Sequence, residues 1–104
     1  MKQHRYRVTL EHLADPKGGP SAYDAPLRFE VGNHDDVFAI VERMRQRPDL
    51  TPESATALAV GLKLFSEVML EQRGHPLFAG FAPHFRDFMK TLKQGMVAPS
   101  AEGA

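Results

Sequence analysis

The fold is decided by residues 51–72, which read TPESATALAVGLKLFSEVMLEQ. This stretch begins with a typical helix start, because Thr is a good N-cap, Pro suits the first helical position and an acid suits the first turn. Gly74 follows the stretch, as glycine often does just beyond the end of a helix. The sequence therefore predicts a long helix from Thr51 to about Gln72.

Apolar residues cover two sides of this predicted helix. They form two rows at helical spacing, one of Leu58, Leu62, Phe65 and Met69 and the other of Val60, Leu64 and Val68. Only a narrow stripe, which includes Lys63, Glu67 and Glu71, is polar. A helix that is apolar on two sides packs against two partners, so we expect it to be the central helix of the protein.

Two stretches before this helix alternate between apolar and polar residues. The first runs from His4 to Leu13 and the second from Leu27 to Val31. Alternation with a period of two predicts strands with one half-buried face. Residues 15–26 contain three prolines and two glycines and therefore predict a loop, across which the strands can pair as an antiparallel hairpin.

A second helix is predicted from about Asp35 to Gln46. Asn33 is a good N-cap, and acidic residues in the first turn suit the helix dipole. Apolar residues recur at helical spacing through the segment. Pro48 disfavours helical backbone at the residue before it, so the helix should end there.

A third helix is predicted from Pro83 to Gly95, where apolar residues again recur at helical spacing. Four aromatic residues lie in it or just before it: Phe78, Phe81, Phe85 and Phe88. Core packing is their default role, but an exposed pair would mark a groove for a partner. The small and polar residues 96–104 predict a disordered tail.

The order of these elements predicts an α+β fold in which an N-terminal antiparallel β-hairpin packs against three α-helices. We expect one domain over residues 1–95, followed by the tail over residues 96–104. A lone hairpin is only marginally stable in water, so it needs support from the helices, from the apolar linker Leu77–Phe81 as an added strand, or from another chain. Its unpaired strand edges would allow a homodimer.

Composition excludes several classes of protein. The 104 residues include 13 Lys and Arg and 13 Asp and Glu, so the basic field of a general nucleic-acid binder is missing. Without cysteine, disulfides, thiolate catalysis and Cys-ligated metals are ruled out. The sequence has no G-x-S-x-G or phosphate-binding glycine motif. No signal peptide or membrane span is predicted, and we expect a cytoplasmic protein without a membrane partner.

His34, Asp35 and Asp36 are the first candidate site, because they are potential metal ligands or proton carriers at a helix start. Adjacent residues on a first turn point in different directions, which makes convergence on one metal difficult. The alternative interpretation is a capped, acid-rich helix start. We favour the capping role and expect no metal and no cofactor.

Arg5, Arg7 and Arg28 are the second candidate site, since alternation places them on the polar face of the hairpin. Such a basic surface could bind nucleic acid or phosphate ligands. Glu30 lies on the same face and could pair with these arginines across the strands. A solvated face is therefore favoured over a binding surface.

Several long segments resemble a family of short bacterial proteins, domain of unknown function 3861. The similarity is carried by residues 33–43 (NHDDVFAIVER), 57–70 (ALAVGLKLFSEVML), 2–7 (KQHRYR), 76–78 and 88–90. The resemblance implies a compact α+β fold, a roll related to the ubiquitin-like arrangement. It implies no catalytic residues, because the family has no established activity.

The leading hypothesis is a bacterial protein-interaction or regulatory module without catalysis, which binds a protein partner or a second copy of itself. One alternative is binding of nucleic acid or an anionic ligand through the basic hairpin face, although the zero net charge disfavours nucleic acid. The other is a metal-dependent or enzymatic site at the start of the first helix.

Overall fold

The chain has an N-terminal two-stranded sheet followed by four helices in a computed structural model, which describes residues 2–103 and the side chains of residues 2–94. The elements are β1 (His4–Leu10), β2 (Leu27–Asn33), α1 (Val37–Met44), α2 (Pro52–Glu71), α3 (Pro76–Ala79) and α4 (Ala82–Gly103). The predicted α+β class is confirmed. The residues up to His34 form one compact unit and those from Asp35 onward form another. A single domain over residues 1–95, the packing of the hairpin against the helices and the ubiquitin-like roll stay predictions.

Strands β1 and β2 pair antiparallel, with His4 opposite Asn33 at one end and Leu10 opposite Leu27 at the other. The alternation predicts that the first strand continues to Leu13, but the strand ends at Leu10. The next residue would have to pair with Pro26, which has no N–H to donate to the ladder.

Part of the predicted loop between the strands is an ordered turn. The N–H of Gly18 donates to the carbonyl of Asp15, and the N–H of Asp15 donates to the carbonyl of Gly19. Gly18 has a φ of 87°, a backbone conformation that glycine adopts without steric cost. The Asp15 carboxylate also accepts from the N–H groups of Lys17 and Gly19, so this turn is held by its own side chain.

Helix α1 begins at Val37, three residues later than it would begin if Asn33 were its N-cap. Its N-cap is Asp36, whose carboxylate accepts from the N–H of Ala39. The prediction of Asn33 as the cap is wrong, because β2 extends to Asn33 and pairs it with His4. Asp35 likewise precedes the helix and does not lie in its first turn.

Replacing Asp36 with Ala should lower the free energy of unfolding by about 1 kcal/mol, since the N–H of Ala39 would lose its acceptor. Urea unfolding followed by circular dichroism measures this change. Asp36→Asn keeps a side-chain oxygen and serves as the control, with a much smaller expected loss. Equal stability of the Ala variant and the parent would contradict the capping role.

The long helix α2 matches its prediction closely at both ends. Thr51 is the N-cap and accepts from the N–H of Ser54, with Pro52 in the first turn. The helix ends at Glu71, and Gly74 follows with a φ of 88°. These boundaries were predictable because cap residues act through local hydrogen bonds.

The core of the helical unit lies on small residues of α2. The buried cluster consists of Met44, Ala55, Ala59 and Leu92. The prediction that bulky residues are buried on two sides of α2 is wrong at Phe65 and Val68, whose exposed fractions are 38% and 47%. Small side chains let α1 approach closely along the face of Ala55 and Ala59, which is fully buried, while Leu58 and Leu62 of the predicted apolar row are half-buried against the same cluster.

The predicted polar stripe of α2 is not uniformly solvated. Glu67 is only 8% exposed. The Lys63 ammonium donates to Asp35 at 2.8 Å, and its side chain is 18% exposed. Polar residues on this stripe therefore have specific structural environments that the helical pattern does not reveal.

Two segments after α2 are settled by the structure. The linker Leu77–Phe81, which the sequence leaves ambiguous, is not an added strand but contains most of the short helix α3, because Pro76 suits a first turn and the His75 ring accepts from the N–H of Leu77. Helix α4 extends past Gly95, where its end is predicted, since a single glycine costs a helix only about 1 kcal/mol. The side chains from residue 95 onward lie outside the described residues, so the predicted disorder of residues 96–104 stays a prediction.

No helix in the described part of the chain combines the length and the apolar character needed to cross a membrane.

Candidate functional site

The polar face of the hairpin carries the predicted arginine site. The strand register places Arg5, Arg7 and Arg28 on this face together with Glu30. Glu30 accepts from Arg7 at 2.9 Å and lies 3.8 Å from a guanidinium nitrogen of Arg5. Exposed ion pairs of this kind stabilise a protein little, but they lower the positive charge that the face offers to an anion. Binding through these arginines stays a prediction.

The predicted metal or proton-transfer site at residues 34–36 is divided between different roles. Asp36 caps α1, and Asp35 accepts from Lys63. His34 is exposed and lies at the end of the first unit. Among the described residues, no three His, Asp or Glu side chains are grouped so that they could hold a metal ion.

A Ser–His contact in the loop between β1 and β2 is not predictable from any motif in the sequence. The Nδ1 atom of His12 lies 2.6 Å from the Oγ atom of Ser21, and the rings of His12 and Tyr23 meet edge to face at 5.3 Å. A nucleophilic serine needs a histidine that a third group orients, and no described carboxylate contacts His12. The Ser21 hydroxyl also accepts from the N–H of Tyr23 and donates to its carbonyl. The contacts of Ser21 with His12 and Tyr23 therefore hold the loop together.

The loop between α1 and α2 contains a charge pair in which one arginine makes two hydrogen bonds to one carboxylate. Both oxygens of Asp49 accept from the Arg47 guanidinium, at 2.9 and 2.7 Å. The hydrogen bonds raise the pKa of Arg47 and lower the pKa of Asp49. This pair joins the residues on either side of Pro48 and is a structural feature of the loop.

The other face of the hairpin is apolar, as the alternation predicts, but it is not uniformly buried. Val8 and Val31 are half-buried. Towards the loop end, Phe29 is 41%, Leu27 is 59% and Leu10 is 64% exposed. We call Leu10, Leu27 and Phe29 the hairpin patch. An exposed apolar patch on a strand pair is typical of a surface that another molecule covers.

The hairpin also has open strand edges in the described part of the chain. Its sheet contains only β1 and β2, so each strand has one side without a neighbouring strand. Backbone N–H and C=O groups on such edges can pair with a strand of another chain.

The aromatic run of the sequence forms one cluster around Phe65. Its ring meets those of Phe78, Phe81 and Phe85 at centroid distances of 6.0, 5.9 and 5.8 Å, each edge to face. Phe78 and Phe85 are half-buried, whereas Phe81 is exposed. The run therefore serves partly as packing, and beside it lies a cleft bounded by α2, α3 and α4.

Comparison with known proteins finds relatives over most of the chain. The family model described as "Domain of Unknown Function with solved-structure structure (DUF3861)" matches residues 4–94. The crystal structure of a protein of unknown function from Pectobacterium atrosepticum SCRI1043 is 42% identical, with a TM-score of 0.76, over 89% of this chain and 99% of that chain. No curated protein matches. The hairpin patch and the aromatic cluster both fall within the matched range.

Proposed function

Since this chain belongs to the DUF3861 family, whose description assigns no activity, we propose a function from its own surfaces: it is a non-catalytic interaction module that binds a second copy of itself through β2. The observation that carries the proposal is the hairpin patch beside an open strand edge. We also propose that this module acts in the cytoplasm.

Self-pairing of β2 is supported by the charges along the strand. When two copies of β2 pair antiparallel about a twofold axis at Phe29, Arg28 of each copy faces Glu30 of the other. The same register sets Phe29 against its copy and Leu27 against Val31 on the apolar face. Opposite charges and apolar pairs directly across strands both stabilise a sheet, and a twofold interface of this kind is closed and self-complementary.

The other strand does not offer the same complementarity. Self-pairing of β1 about Tyr6 would set Arg5 against Arg7, and pairing about Arg7 would set that arginine against its copy. Pairing about Val8 would set Arg7 against Thr9 and would form no opposite-charge pair within the strand. Like charges directly opposite each other destabilise a strand pair. The zero net charge of the chain adds no long-range repulsion between copies, so β2 is the favoured edge.

Arg28→Glu should shift the protein towards monomer. On each side of the twofold axis, the new glutamate of one copy would face Glu30 of the other, and the two carboxylates would repel each other. Sedimentation velocity over a dilution series measures the change in dimer dissociation constant. Thr9→Glu is the matched control, since Thr9 faces Arg28 within the hairpin but lies on β1, and its dimer should be retained. Combining Arg28→Glu with Glu30→Arg restores opposite charges across the axis, and adding Arg7→Glu keeps an opposite charge facing residue 30 within the hairpin, so the triple variant should recover dimer.

Circular dichroism of each variant checks that the fold is retained. A parent protein that remains monomeric at the highest soluble concentration would contradict the proposal. An unchanged dissociation constant for Arg28→Glu would show that any dimer uses a different surface.

The two alternative functions have no comparable support. The basic hairpin face is partly neutralised because Glu30 pairs with Arg5 and Arg7. At the start of α1, Asp35 and Asp36 are used in an ion pair and a cap.

A further inference from the structure

A cleft in the helical unit has the composition of a ligand site. It lies beside the C-terminal half of α2, the turn after it, α3 and the first turns of α4, and has a volume of about 310 Å³. This volume is at the lower end of the range for small-molecule sites, roughly 300–1,000 Å³. The cleft therefore suits a molecule with one ring or a short chain.

The charged side chains that line the cleft are all cationic. Arg73 lies in the turn after α2 and Arg86 lies on α4, and no Asp or Glu is among the lining residues. Within the described residues, neither guanidinium takes part in an ion pair. Two arginines without a carboxylate partner are well suited to hold an anionic group by charge-assisted hydrogen bonds.

His75 adds a polar ring to the same lining. Its Nδ1 atom accepts from the N–H of Leu77 at 3.0 Å, so the proton of the neutral ring lies on Nε2. The ring therefore has a donor to offer and not a second acceptor, which again favours an anionic or acceptor-rich ligand.

The walls of the cleft are apolar and held by packing. Phe78 and Phe85 line it, and both rings pack edge to face with Phe65. Met69 and Leu70 line it from α2. A site with an apolar wall and a few polar groups at its rim binds amphipathic small molecules.

We propose that this cleft binds a small organic anion, an aromatic carboxylate, with its carboxylate held by Arg73 and Arg86 and its ring against Phe78 and Phe85. The charges favour a carboxylate over a neutral or cationic ligand, and the apolar wall favours an aromatic body over a simple inorganic anion. This role is separate from self-pairing through β2, because every lining residue lies between residues 66 and 86.

The test uses 3-phenylpropionate as the probe, with 3-phenylpropanamide and acetate as its uncharged and ring-free analogues. Titration of the full chain, followed by amide chemical shifts, measures the three affinities. We expect the phenyl carboxylate to bind at least about ten-fold more tightly than either analogue, with shifts confined to residues around the cleft. Loss of one charged hydrogen bond corresponds to a ten-fold or larger change in affinity.

Two variants separate charge from shape. Arg86→Gln should weaken binding about ten-fold or more, whereas Arg45→Gln, an exposed arginine after α1, should leave it unchanged. Ala79→Phe keeps both arginines but fills the cleft from α3, and it should also abolish binding. Circular dichroism confirms that each variant is folded.

Several results would overturn the proposal. Equal affinity for 3-phenylpropionate and 3-phenylpropanamide would show that the arginines do not bind the carboxylate. Shifts centred on the hairpin, no saturable binding of the probe, or an unchanged affinity in Arg86→Gln would each reject the site.

Discussion

Met44→Ala should lower the free energy of unfolding by about 2–5 kcal/mol, the usual cost of truncating a buried Met. Met44 is 1% exposed and is the largest fully buried side chain among the described residues. It packs in the cluster formed with Ala55, Ala59 and Leu92. The two alanine neighbours cannot move into the space, and Leu92 and the half-buried side chains around the cluster could fill only part of it, so a cavity should remain.

Urea unfolding followed by circular dichroism at the helix band measures this loss. Met44→Leu is the control, because it keeps the volume nearly constant and should cost less than about 1.5 kcal/mol. A loss below about 1 kcal/mol for the Ala variant would show that α1 does not pack on α2 through this side chain.

Ala59→Leu should also destabilise the protein, by about 1–3 kcal/mol, because the larger side chain would have to displace the side chains packed around Ala59 beyond the small opening of about 70 Å³ that it lines. Ala59 is 1% exposed and lies where α1 and α2 approach each other. The substitution would force the two helices apart or drive neighbouring side chains from their preferred rotamers.

Ala57→Leu is a matched control on the same helix, since Ala57 is exposed. Alanine and leucine have similar helix propensities, so the control should change the stability by less than about 0.5 kcal/mol. Equal losses of stability for Ala57→Leu and Ala59→Leu would show that α1 does not pack on the face of α2 that carries Ala55 and Ala59.

The candidate surfaces were predictable to different degrees. Period-two alternation predicts both faces of the hairpin, including the shared face of Arg5, Arg7 and Arg28, because neighbouring residues in a strand point to opposite sides. The cleft was not predictable, since its arginines and aromatic residues come from the turn after α2 and from α3 and α4, and match no motif. The contact of His12 with Ser21 was also not predicted, because these residues match no motif.

Local signals also fail where two of them compete. Asn33 and Asp36 are both good N-caps, and only the extension of β2 to Asn33 decides that Asp36 is used.

By itself, the sequence determined the type of each long element and the start of α2, because periodicity and capping depend on residues within one or two turns of each other. The tertiary structure alone decided which apolar residues are buried. Ala55 and Ala59 form the core while Val68 stays exposed, since burial depends on how closely two helices approach. The pairing of Lys63 with Asp35, 28 residues apart, likewise exists only because the folded chain brings distant segments together.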